Sequence, residues 1–512
     1  MKTLYCFVLT LLLFGTTFVI AQNDEPPTPK EDVPTEEIET ESIDIIKPYE
    51  PVLADAVRVG LTPTLPSKEE LDAARPKFVE YSVPNRFLTM RYTPPKLRPL
   101  SYKSKDSKGD TSEKYPHFWL RAAYGNLNTP LIDVAASSGP SDKYVIGANA
   151  SYIASKGPIE FQDYSQIGVA LFGKMFLENN NYIQPEIAYQ KDTYYYYGFE
   201  ASDTLDVDSI GVFADSIKQY FQTISVGAEL GNSAANDANI NYKLALKYDN
   251  FSDNYQAIEN NVRLNTTVNR PINDSFGLGA DALLHFSAYK DTTSINNLLM
   301  DVRPYLSFGK KWGSIKLGGS FLSGVEQFTV YPYLKVQTNI AKGFNLFGGW
   351  QKEAIKNNYQ NIAAVNPFVG RFIAFANSTH EERYIGFNGS ATVVSYSITA
   401  RQTLTQNQAL FVNDTSDVST FRVRYEKQLN ALGGSFELSV KPSEKVELLG
   451  DVTYAVYTPT SEDQAWHLPK LKANVQANFK PIEKLSLQAT LFATDGSYAL
   501  LTDGSSEKLK GT

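Results

Sequence analysis

Cysteine is almost missing from this chain. The only one in 512 residues, Cys6, lies inside the first apolar run. The rest has neither thiol nor disulfide, which suits a bacterial envelope better than an oxidising eukaryotic exterior. Histidine is scarce as well: His117, His285, His380 and His467 stand far apart in sequence. No H-E-x-x-H, no G-x-S-x-G and no phosphate-cradling glycine loop occurs. No catalytic residue, metal site or cofactor site is therefore expected, and the chain reads as a non-enzyme. No internal run of about 18 apolar residues exists, which excludes a helical membrane protein. Positive charge is not in excess either. Lys and Arg number 48 against 56 Asp and Glu, for a net charge of −8, so nucleic acid is not the expected partner. Helical patterns long enough to build several ordinary domains are also lacking.

What is present begins with a secretory signal over residues 1–21. Lys2 supplies the positive end, Phe7–Ile20 the apolar core, and Val19-Ile20-Ala21 a site for cleavage after Ala21. Residues 22–114 form a separate region, expected to be a periplasmic extension, partly disordered and partly docked. Its start, "NDEPPTPKEDVPTEEIETES", is acidic and Pro-rich and cannot bury enough apolar surface to fold alone. A short helix is predicted over Ser67–Arg75, with Ser67 and Glu70 as a capping box and Pro76 as its stop. "MRYTPPKLRPLSYKSKDSKGD" is basic and extended, with polyproline character.

From Tyr115 to the end the texture has period two. In Leu471-Lys472-Ala473-Asn474-Val475-Gln476-Ala477-Asn478-Phe479 every odd position is apolar and every even one polar. Leu485–Leu491, Phe421–Glu426 and Val394–Arg401 follow the same rule. Such alternation gives strands with one apolar and one polar face. Many segments run about 9–11 residues, the length that crosses a bilayer at a tilt. The polar faces carry Lys, Arg, Asn, Gln and Ser, as a wet lumen requires. A sheet that spans lipid must close, because an open edge leaves unpaired backbone groups in hydrocarbon. The expected fold is all-β: a large antiparallel transmembrane β-barrel of about 20–22 strands with an extended N-terminal tail. Roughly twenty alternating segments are visible. Short Lys-rich turns, such as Lys441–Lys445 and Lys480–Lys484, read as periplasmic. Long connections, Gly198–Lys218, Lys352–Glu381 and Leu404–Ser419, read as extracellular. Segments counted separately at 419–428 and 433–440 leave 404–445 without clean up-and-down parity.

Several residues are singled out. Tyr194, Tyr195, Tyr196, Tyr197 and Phe199, where a strand meets a long loop, are expected to form part of an interfacial aromatic girdle; a sticky loop for a ligand such as a glycan is the alternative. Asp203, Asp206 and Asp208 read as a solvated acidic loop, since their spacing misses the EF-hand pattern. Arg422, Arg424 and Glu426 are expected to point inward from one strand, to select solutes, to neutralise one another or to hold an N-terminal segment.

The run of strands resembles the barrel portion of TonB-dependent receptors, outer-membrane transporters of roughly 22 strands with a globular plug. It resembles more closely a plug-less group of Gram-negative outer-membrane proteins related to them. The preface residues Lys47-Pro48-Tyr49-Glu50-Pro51, Leu53-Ala54-Asp55-Ala56 and Tyr81-Ser82-Val83-Pro84 with Arg86 carry that likeness. The resemblance implies a bacterial outer-membrane location, contact with outer-membrane lipid, and a role as receptor, transporter or pore for a small solute. Residues 22–114 are too few and too Pro-rich for a plug, so TonB-driven import is in doubt, although Glu41–Ile46 is similar to the short strand that TonB pairs with. The alternative is a non-transporting scaffold of an envelope complex, whose tail, including Lys47, Pro48, Tyr49, Tyr81 and Arg86, recruits periplasmic partners. Finally, "EKLKGT", Glu507–Thr512, reads as the opening of a further strand of a barrel that is C-terminally incomplete, with a gap or strained closure expected between the first and last strands.

Overall fold

The computed structural model describes residues 117–511, apart from 139–140, 142, 159–160, 198–216, 234–235, 237, 326–327, 342, 371–372, 416–418 and 483–484. The signal, the helix at Ser67–Arg75, the tail residues Lys47, Pro48, Tyr49, Tyr81 and Arg86, the hexamer Glu41–Ile46, Phe199 and the three loop aspartates lie outside the described residues.

Nineteen strands form one antiparallel sheet. The first nine are β1 (Phe118–Gly125), β2 (Thr129–Ser137), β3 (Tyr144–Ser155), β4 (Tyr164–Phe176), β5 (Asn181–Tyr195), β6 (Lys218–Asn232), β7 (Asn241–Asp253), β8 (Ile258–Pro271) and β9 (Phe276–Lys290). The next five are β10 (Ser294–Lys310), β11 (Gly313–Ser323), β12 (Thr329–Ala341), β13 (Phe344–Ile355) and β14 (Ser378–Ser390). The last five are β15 (Val394–Asn413), β16 (Phe421–Ser443), β17 (Val446–Pro459), β18 (Leu471–Ile482) and β19 (Leu485–Thr494). Each strand pairs with the next in sequence, from β1–β2 through to β18–β19. This is the up-and-down order of a barrel. Among the described residues no pairing joins β1 to β19, which is the expected gap.

Alternation sorts the two faces. Leu471, Val475 and Phe479 of β18 are exposed outward, while Asn474 and Asn478 between them bond Asp451 and Glu447 on the other face. Leu171, Ile187, Leu246, Leu317 and Ile385 continue the outer apolar surface. The inner face carries paired charges, including Lys243 with Glu229 and Arg303 with Asp301 and Glu353. An exposed apolar belt is what lipid contact requires.

Cross-strand glycine–aromatic pairs fix the wall locally. Gly279 lies opposite Tyr305, Gly349 opposite Tyr384, and Gly389 opposite Tyr396. A Cβ on Gly279 would come within 2.4 Å of the Tyr305 ring, and one on Gly389 within 2.6 Å of the Tyr396 ring. The ring covers the backbone that the glycine leaves bare, as in aromatic rescue of glycine in sheets.

Two expectations need correction. The stretches 419–428 and 433–440 belong to one strand, β16, of 23 residues. It pairs with the 20-residue β15 along nearly its whole length. Merging them restores parity: connections after even strands are two to eight residues, while the long ones, after β5, β13 and β17, all follow odd strands. Residues 429–432 look like a break because the apolar positions change phase there, from odd (Leu429, Ala431) to even (Leu432, Phe436), with Gly433-Gly434 between. The second correction concerns the C-terminus. Ser506–Lys508 (β21) does not open a further barrel strand but pairs with Tyr498–Leu500 (β20) in a separate hairpin. Gly504, at φ +84°, and Asp503, whose carboxylate accepts from the Ser505 amide at 2.9 Å, turn the chain back. Tyr498 and Leu500 then pack against Trp466 and Leu468 of the β17–β18 connection.

Candidate functional site

The long connection from β13 to β14 does not extend away from the barrel. It folds across the inside as a strap, described over 356–370 and 373–377, with one short helix, α1 (Tyr359–Val365). Its composition explains the choice. Tyr359, Ile362, Ala363, Phe368, Val369 and Ile373 are apolar side chains that a solvated loop would leave wet, and all are buried. Their burial stabilises by roughly 1.5–3 kcal/mol for each larger side chain.

Tyr359 anchors one side. Its ring packs edge-on against Phe221 of β6, Phe251 of β7 and Tyr289 of β9. Its hydroxyl donates to Asp253 at 2.7 Å. Asp253 also accepts from the amides of Tyr255 and Ala257. Burial, and then the Asp253 carboxylate beside it, push the Tyr359 phenol well above its ordinary range, so it remains a donor.

Glu259 of β8 is fully buried and holds the backbone at the start of α1. Its carboxylate accepts from the Tyr359 amide at 2.7 Å, the Gln360 amide at 3.2 Å and Asn358 Nδ2 at 2.6 Å. Asn261, two residues along on the same face, donates to Glu259 at 2.8 Å and to Gln360 Oε1 at 3.0 Å. A buried carboxylate is tolerated only with such donors around it.

The strap reaches further strands at its other points. Phe368 sits among the rings of Tyr194, Tyr196 and Tyr197 at the end of β5. Its carbonyl accepts from the Phe421 amide, and the Gly370 amide donates to the Phe421 carbonyl, tying the strap to β16. Asn377 exchanges side-chain bonds with Asn297 of β10 at 3.0 and 2.7 Å. Lys356 Nζ donates to the carbonyls of Asn297 at 2.6 Å and His285 at 3.3 Å. Burial pushes the Lys356 ammonium down to about 8. Strands from β5 to β10, β13, β14 and β16 thus all hold one segment, which spans the lumen.

Between the strap and the wall is a cavity of about 570 Å³. Among the described residues, Arg263, Arg303, Lys356 and Arg401 supply four basic side chains to its lining, and Glu353 the only acidic one. His285 and His380, remote in sequence, both line it. Among the described residues no group of three or more His, Cys, Asp or Glu side chains is gathered as a metal would need.

The residues picked from sequence end up elsewhere than expected. Tyr194 and Tyr196 are buried, with Tyr195 and Tyr197 packed against the same cluster. They line the inside against Phe368 and form no lipid-level girdle, because the strap gives their rings an apolar partner. Arg422, Arg424 and Glu426 do not line the cavity. Phe421 and Val423, alternating with them, take the side that packs against the strap cluster. Arg424 instead pairs with Glu462 at 3.2 Å. Glu426 is buried beneath the β17–β18 connection and accepts from the amides of Thr460, Ser461 and Glu462 and the Thr460 hydroxyl. A segment is held there, but it is 460–462. Glu259, Tyr359, Lys356 and Arg263 went unnoticed in the sequence. The signal for the strap was an apolar run, "IAAVNPFVG", inside a supposedly extracellular loop.

No known protein-family model matches this chain, and no curated protein matches it in sequence. Solved structures do. The siderophore receptor PirA of Acinetobacter baumannii superposes with a TM-score of 0.58 at 11% identity, over 77% of this chain and 72% of that one. The FrpB iron transporter of Neisseria meningitidis gives 0.58 at 8% identity, over 77% and 72%. A ferric enterobactin receptor (PfeA) variant of Pseudomonas aeruginosa gives 0.56 at 9%, over 75% and 69%. The chain has the fold of the large antiparallel barrel of TonB-dependent siderophore receptors.

Proposed function

We propose that the chain is an outer-membrane barrel of receptor type that takes a small solute into its lumen, with the strap closing that lumen until the solute is engaged. The supporting observation is the cavity of about 570 Å³ between strap and wall, a volume within the range of small-molecule sites. The neighbours are named as siderophore receptors and an iron transporter, which favours uptake over a purely structural role. The strap takes the place that a plug would fill, using the chain's own β13–β14 connection. Catalysis has no part in this reading.

Planar-bilayer conductance tests it. The full chain should conduct little, and Tyr359→Ala combined with Phe368→Ala should open a pore. If both forms are sealed, with and without residues 22–114, and the protein brings down stable envelope partners, the barrel is a scaffold and the receptor reading fails.

A further inference from the structure

We infer that the cavity between strap and wall binds a small organic anion, with a carboxylate or phosphate head held by Arg263, His285 and Lys356 and an apolar body against the opposite side. The inference rests on the lumen-receptor reading above and adds the class of solute.

The charge balance is the first argument. Of the four basic side chains at the cavity, Arg303 is neutralised by Asp301 and Glu353. Arg401 lies 3.6 Å from Glu382. Among the described residues neither Arg263 nor Lys356 has a carboxylate at ion-pair distance; Glu259 attracts Lys356 only from further off. Lys356 donates only to neutral carbonyls. Half-buried cations left without an anion are costly, and a bound anion offsets that cost.

Convergence is the second. Arg263 stands opposite His285 in the β8–β9 register, and Lys356 donates to the His285 carbonyl, so the three share one wall. The His285 side chain is 2% exposed, and its Nε2 has no hydrogen-bond partner among the described residues. A buried ring nitrogen at a cavity wall is a polar group that a ligand atom can pair with. A carboxylate or phosphate oxygen satisfies it by accepting from Nε2–H, in the tautomer that carries the proton there.

The body of the ligand follows from the rest of the lining. Ile362, Val365, Phe411, Leu429 and Leu468 make an apolar surface on the same cavity. Inorganic phosphate would leave that surface empty, whereas an aryl or alkyl anion covers it.

Calorimetric titration of the full chain in a nonionic detergent tests this with phenyl phosphate, phenylacetate and phenyltrimethylammonium at matched ionic strength. At least one of the two anions should bind and the cation should not. Arg263→Gln should weaken anion binding by about tenfold or more, while Lys480→Gln, near the end of β18 and outside the cavity lining, should leave it unchanged. Thermal unfolding of each variant separates lost binding from lost fold. Equal binding of cation and anions, no binding of either anion to folded protein, or an Arg263→Gln protein that is folded and binds normally would overturn the inference. Conductance of the strap variants remains the separate test of the lumen reading. A pore that opens without any anion binding would retain that reading and remove this one.

Discussion

Glu259 and Tyr359 lie 100 positions apart in the chain, yet the Glu259 carboxylate accepts the Tyr359 backbone amide at 2.7 Å. That bond, with those from Gln360 and Asn358, joins the strap to the barrel wall. Hydrogen bonds to a buried charged group are each worth about 1.5–3 kcal/mol when a partner is lost. Glu259→Ala should therefore release the strap by about 3 kcal/mol, read as more frequent open events in single-channel records. Glu259→Gln should fall between, since an amide keeps one acceptor oxygen and points a donor at donors.

Docking of the strap should depend on pH through Lys356. Its docked value is about 8, below the ordinary 10.5. Below pH 8 the ammonium is charged whether the strap is docked or free. Between about 8 and 10.5 the free strap binds the extra proton, so docking strengthens as pH rises. Open events should become rarer from pH 7.5 to 9.5, and Lys356→Met should flatten that trend. A wild-type pore that opens more readily at pH 9.5 would contradict the assignment.

Glu426 should matter locally. It is the common acceptor for the backbone of 460–462. Glu426→Ala leaves these amides without their partner and should speed hydrogen exchange across 460–468 by about tenfold or more. Exchange in the strap should change far less, because none of the Glu426 hydrogen bonds reaches a strap residue.

The wall pairs make a coupled prediction. Gly279→Val should drive the Tyr305 ring from its place and cost about 1–3 kcal/mol of stability by overpacking. Adding Tyr305→Ala should recover part of that loss, seen as a positive departure from additivity in thermal unfolding.

The barrel was legible because a strand that faces lipid on one side and water on the other must alternate, as Leu471–Phe479 does. Its strand number was less so: Ala431-Leu432 and Gly433-Gly434 break the alternation inside β16 without breaking its pairing. The strap could not be placed from pattern. Its anchors, Asp253, Glu259, Asn261 and Asn297, sit on polar faces where alternation predicts only generic hydrophilic residues. What gives them a role is the curling of the sheet, which brings strands far apart in sequence around one interior segment. The same curling turned the tyrosines of 194–197 from expected membrane anchors into partners of Phe368.

The glycine–aromatic rungs carry a consequence for how such a chain can change over generations. Where Gly279 meets Tyr305, or Gly389 meets Tyr396, neither position is free to drift by itself. A larger residue at the glycine needs a smaller one opposite, and loss of the ring exposes backbone that the glycine does not shield. Related sequences should therefore exchange these positions two at a time, leaving a record of β-register that survives after the surrounding residues have lost all resemblance.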